Sequence, residues 1–166
     1  MSFARNERRA HAAWLTGLIL ALVVAQSSGA EASGPPFAAL AGSWAGRGTL
    51  ITLAGTEEAR CAASYQPGGD EVKLTLKCAT PSYRLDLTSL VRDENGLLSG
   101  RWAEQGFGTS GTVTGRAEGD GLALATNVMG AQVTVFLITR RGKQSVSIRT
   151  TSPFVRGGDL LLVHQR

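Results

Sequence analysis

The chain has 166 residues, 17 lysines and arginines against 13 acidic residues, a formal net charge of +4, and only two cysteines and two histidines. Two cysteines are too few for a cysteine-based zinc cluster, Cys61 and Cys78 are too far apart for a CxxC redox centre, and the basic residues are scattered rather than clustered, which argues against nucleic acid as a partner. The length suits a single domain.

Residues 1–30 read as a signal peptide. Arg5, Arg8 and Arg9 form a positive start, Ala12 to Ala25 is an uncharged apolar run, and Ser28-Gly29-Ala30 supplies small residues for cleavage. The run is short for a membrane-spanning helix of about 20 residues. Cleavage after Ala30 removes three of the 17 basic and one of the 13 acidic residues, leaving a net charge of +2. The expectation is therefore a periplasmic or secreted protein with no stable membrane span after cleavage. In that setting Cys61 and Cys78 read as one structural disulfide.

Residues 31–40 read as a flexible lead, within which Phe37 to Leu40 can form one helical turn that plugs an end of the domain. The barrel-forming part is residues 41–166. Its first strand carries Trp44, Gly46, Gly48, Leu50 and Thr52 on one side. A turn at Gly55-Thr56 would set Leu50 against Cys61 and Gly46 against Tyr65, so that a large ring faces an empty position.

From Glu57 to Cys78 apolar residues alternate with polar ones on both sides of Pro67-Gly68-Gly69-Asp70. With Gly69-Asp70 as a two-residue turn, Tyr65 faces Leu74, Ala63 faces Leu76 and Cys61 lies opposite Cys78. These are non-hydrogen-bonded pairs, close enough for a cross-strand disulfide. Tyr83, Leu85 and Leu87 continue on the dry face, and Ser89-Leu90 interrupts the alternation, as a bulge would. Asn95-Gly96 is a strong hairpin signal leading into Leu98, Gly100 and Trp102, and Gly106 to Gly108 is a loop.

Turns at Gly119-Asp120, Met129-Gly130 and Arg141-Gly142 then generate a meander. They pair Val113 with Thr126, Gly115 with Leu124, Leu124 with Val135, and Val135 with Ile148, always on one face. A last strand covers Asp159 to Gln165. Eight to ten short strands joined by tight turns predict an all-β, single antiparallel up-and-down β-barrel, with a two-sheet β-sandwich as the alternative.

No residue pattern points to an enzyme. Gly-x-Ser-x-Gly does not occur, and Glu57-Glu58 and Asp93-Glu94 fall at turns and strand edges, where carboxylates are solvated. No cofactor or metal set is expected. The interior is the place for function: Trp44, Tyr65, Tyr83 and Trp102 are the candidate ligand-binding residues, with hydroxyls from Thr52, Thr126 and Thr150, in a space that either fills with side chains or holds a small apolar ligand. On the outer wall Phe136 and Ile138, beside Ala123, form a candidate partner patch, unless residues 37–40 or 152–156 cover it. A monomer is expected.

The stretch Leu40-Ala41-Gly42-Ser43-Trp44-Ala45-Gly46 resembles the Gly-x-Trp opening of calycin-type barrels. Lipocalins and avidins, bacterial metalloprotease inhibitors and nitrobindin-like haem barrels share such a start. These resemblances imply, in turn, a small apolar ligand, an envelope protein as partner, or haem held by a histidine near the C-terminus, which here would be His164. The chain also looks like exported alphaproteobacterial proteins, a likeness that implies no activity.

Overall fold

A computed structural model describes residues 37–166; the signal-peptide reading and residues 31–36 of the lead lie outside the described residues. Ten strands form one closed antiparallel barrel: β1 (Gly42–Thr52), β2 (Gly55–Gly68), β3 (Glu71–Ala79), β4 (Arg84–Glu94), β5 (Leu97–Glu104), β6 (Thr109–Glu118), β7 (Gly121–Val128), β8 (Ala131–Arg140), β9 (Lys143–Thr150) and β10 (Val155–His164). Each strand pairs with its sequence neighbours, and β1 closes the ring against β10, so no edge is left exposed and the sandwich alternative is ruled out.

The meander follows the alternation of its sequence. Val113 pairs with Thr126, Gly115 and Val135 both flank Leu124, and Ile148 pairs with Val135. Asn95-Gly96, Met129-Gly130 and Arg141-Gly142 each place two consecutive residues at positive φ, the backbone twist that a two-residue hairpin turn needs. Cys61 pairs with Cys78 on the inner face and the two form a disulfide, their Cα atoms 4.1 Å apart.

The structure differs from the sequence reading in three places. First, β1 and β2 turn at Leu53-Ala54, so Gly46 pairs with Cys61 and Leu50 with Glu57, four residues away from the expected register. The Thr52 hydroxyl fixes this turn by donating to the Gly55 carbonyl and accepting from the Ala54 N–H, both at 3.1 Å. The space beside Gly46 is not left for a ring: a Cβ there would lie 2.0 Å from the Leu161 carbonyl oxygen, because β10 approaches β1 that closely. Second, there is no bulge at Ser89-Leu90. Both ladders of β4 run through without a shift, with Ser89 facing inward between Leu74 and Trp102 and Leu90 outward. Third, the last strand begins at Val155 and ends at His164, and the barrel's irregularity falls there, where Ile51 and Thr52 oppose Gly157 and Val155.

The odd-to-even connections all lie at one end of the barrel and the even-to-odd turns at the other. At the second end, here the base, the 3₁₀ turn Ala38–Leu40 forms the expected plug: Phe37 and Leu40 are buried, and Trp44 Nε1 donates to the Leu40 carbonyl at 2.7 Å. On β1 to β5 the outer wall carries exposed Arg47, Arg60, Lys73, Lys77, Arg92 and Arg101. Among the described residues no helix is long and apolar enough to cross a membrane.

Candidate functional site

The barrel interior changes character along its axis. At the base the inward side chains are fully packed: Trp44 and Leu162 are 2% and 1% exposed, and Gln144 is completely buried. The buried Gln144 is satisfied across the lumen. Tyr65 Oη donates to its Oε1 at 3.0 Å, and its Nε2 donates to Thr139 Oγ1 at 3.3 Å. Burial pushes the Tyr65 hydroxyl well above the ordinary tyrosine value, so it stays protonated and donating.

Toward the other end, the rim, the inward residues Leu85, Leu87, Val133, Val135, Ile148 and Thr150 are each only partly buried. They face inward by register. The threonine hydroxyls here are already committed. Thr52 bonds Gly55; Thr126 accepts from Trp102 Nε1 at 2.8 Å and donates to the Thr112 carbonyl at 2.7 Å; Thr150 accepts from the Ser152 N–H at 3.0 Å. Among the described residues no buried side-chain nitrogen or oxygen lacks a partner. The inward side of the rim half is therefore mostly apolar, its polar groups including the Ser89 hydroxyl, the threonine hydroxyls already bonded, and the bound carboxylates of Glu57 and Glu104.

The four candidate ligand-binding aromatics do not converge. Trp44 and Tyr65 belong to the packed base. Trp102 lies against the wall, its ring in the space over Gly111. Tyr83 precedes β4 in a rim loop, where it stacks on Phe107 with ring centroids 5.4 Å apart. Burial and the negative charge of Glu104 raise the Tyr83 hydroxyl above its ordinary value.

Two carboxylates organise the rim, Glu57, which reads from sequence as a solvated edge group, and Glu104, which the sequence reading did not single out. Glu104 is buried and accepts from the N–H groups of Asp86, Gly106 and Phe107 at 3.1, 3.0 and 2.6 Å. These bonds hold its carboxyl below the ordinary value. Glu57 faces inward and accepts from the Ser82 hydroxyl and N–H, tying the first two rim loops together; the Ser82 hydroxyl is the largest cause of its lowered value. An acidic residue two places before the Gly106-Phe107-Gly108 run was the available signal for the first clamp.

His164 stands on the inner face by register, next to Leu162 and opposite Trp44, yet at the edge of the base where it is exposed. Its ring meets Trp44 edge to face, and its Nε2 lies 3.2 Å from the Ala41 carbonyl oxygen. Phe136 and Ile138 remain 47% and 46% exposed, uncovered by residues 37–40 or 152–156, and with Leu97 and Ala123 they line an outer groove of about 620 Å³. Among the described residues no group of three or more His, Cys, Asp or Glu side chains is placed to hold a metal ion.

No family model matches the chain, and no curated protein matches it. Among solved structures it is similar to the crystal structure of Rv2717c from M. tuberculosis, with a TM-score of 0.63 and 17% sequence identity over 80% of this chain and 98% of that one. The likeness is one of fold. It places this chain beside another barrel of the same extent and carries no activity with it.

Proposed function

We propose that this protein is a non-enzymatic, exported binding barrel that takes a small apolar ligand into the rim half of its lumen. The observation that carries the reading is the contrast along the axis, a base sealed by Trp44, Leu162 and Gln144 below inward-facing Leu85, Leu87, Val133, Val135 and Ile148 that are only partly buried. The committed hydroxyls favour a ligand held by apolar contact over one held by hydrogen bonds. Export, to the periplasm or beyond, is supported by the disulfide together with the leader pattern of residues 1–30. Native mass spectrometry of protein purified from its own host tests the reading: an adduct lost on unfolding supports it, and a bare chain mass under gentle desolvation counts against it.

A second reading, a protein-interaction module of the envelope such as an inhibitor, is favoured by the exposed Phe136 and Ile138. Phe136→Ser with Ile138→Ser would abolish partner capture and leave ligand binding unchanged. Haem binding would require His164 to leave Trp44 and Ala41 and turn into the lumen. A haemin titration in which His164→Ala removes a sharp Soret band would establish it.

A further inference from the structure

The two ends of the barrel are built from different residues. The base turns are polar: Gly69-Asp70, Asn95-Gly96, Gly119-Asp120 and Arg141-Gly142. The five rim connections contain no charged residue, and four of them present a large apolar side chain to solvent: Leu53 at 64% exposure, Phe107 at 65%, Met129 at 90% and Phe154 at 68%.

Folding accounts for only part of this choice: Phe107 stacks on Tyr83, but Met129 finds no such reason. Met129 has φ 50°, at the first position of a two-residue turn whose counterpart at the base is Asn95 with φ 56°. Asparagine tolerates that backbone, whereas an unbranched apolar side chain gains nothing there from the fold and is left in water. Because alternate connections share one end, the four loops that carry these residues surround the lumen mouth.

We propose that this rim docks onto the surface of an anionic phospholipid bilayer. Apolar and aromatic groups on uncharged loop tips, with basic residues set just behind them, match the layering of a bilayer interface. Arg84 follows the Tyr83 loop directly, Arg156 lies two residues beyond Phe154, both are exposed, and among the described residues neither makes an ion pair. The rim carboxylates Glu57 and Glu104 are instead bound to loop donors, which removes their oxygens from the approaching surface. Both carboxylates stay ionised but face inward by register, so the charges exposed on the outside of the rim loops without an ion partner among the described residues are those of Arg84 and Arg156. Docking does not depend on the lumen holding a ligand, so it stands or falls apart from the binding reading.

All ten strands of the barrel lie within residues 42–164, so the chain without residues 1–30 contains every strand and avoids the apolar leader. That chain is sedimented with sucrose-loaded vesicles, either phosphatidylcholine alone or phosphatidylcholine with phosphatidylglycerol. Binding to the anionic vesicles is expected, weakened by salt. Phe107→Ser with Phe154→Ser should reduce it roughly tenfold or more. Arg84→Gln and Arg156→Gln should each reduce it about fivefold at low salt. Phe136→Ser with Ile138→Ser on the outer wall should leave it unchanged. All substituted positions but Arg84 and Arg156 are apolar and exposed, and a preserved melting transition confirms folding in each variant. Absence of binding to anionic vesicles at low salt would overturn the proposal, as would equal losses in the wall and rim variants. Self-association or protein capture through the rim without vesicle binding would overturn it too.

Discussion

Trp44 and His164 meet edge to face across the β1–β10 ladder, their ring centroids 5.0 Å apart and their planes at 83°. This is the seam where the first strand meets the last, and with Trp44 Nε1 bound to the Leu40 carbonyl it ties the plug, the opening strand and the C-terminal strand into one cluster. His164→Ala should cost about 1 kcal/mol, the value of an aromatic pair beyond its burial. Leu162→Ala, one pair deeper and fully buried, should cost about 2–5 kcal/mol. Urea unfolding of the two variants checks the order; equal effects would mean that the terminal residue carries more of the seam than its exposure allows.

The disulfide closes a loop with a sequence separation of 17 residues. Chain entropy assigns such a loop about 3 kcal/mol. Reduction under native conditions should therefore lower the unfolding midpoint without opening the barrel, and intact mass should show two alkylated thiols only after reduction. Free thiols in the protein as purified would contradict the pairing.

Gly46 is required by close approach. A Cβ at this position would lie 2.0 Å from the Leu161 carbonyl oxygen and 2.8 Å from the Leu162 Cα, both backbone atoms of the partner strand. Gly46→Ala must push β10 away from β1 and should cost on the order of 3 kcal/mol, at the upper end of ordinary point mutations. A melting temperature within a degree or two of the wild type would show that the seam is looser than its register.

Glu104 predicts a pH dependence whose sign follows from its lowered carboxyl. The contribution is fully present above the unfolded value of 4.5 and is lost as the pH falls through the lower folded value. Glu104→Gln should destabilise the rim loops at neutral pH, and the gap to wild type should close in acid. Hydrogen exchange of the Gly106 and Phe107 amides, followed against pH in both proteins, reads this directly. A gap that stays constant into acid would assign the effect to packing instead.

Much of this barrel was legible because its turns and its alternation agree. Asn95-Gly96, Gly119-Asp120, Met129-Gly130 and Arg141-Gly142 each fix a register, and each register keeps the same residues inside. The β1–β2 hairpin was misread by four residues because Gly55-Thr56 looks like a turn, while the actual turn depends on the Thr52 hydroxyl. An even displacement leaves every face unchanged, so alternation could not reveal the error. Ser89 was taken for an interruption because it is polar, although it keeps the inward register beside Trp102. The seam was out of reach in a different way. Trp44 and His164 are 120 residues apart, and although a barrel implies that first and last strands meet, no local pattern gives the register in which they do. The rim clamps were hidden too, since Glu57 and Glu104 act through loop donors whose positions exist only after folding.

The lumen itself gives the most direct test of the account. Val135 faces inward from β8 between Leu124 and Ile148, partly buried below the rim. A neutral fluorescent probe such as N-phenylnaphthylamine should bind the wild-type barrel saturably, and Val135→Trp, which fills the space, should abolish that binding while the disulfide and the melting transition persist. Saturable binding that survives in the filled variant, or no saturable binding to the wild type, would contradict an apolar lumen that receives a ligand.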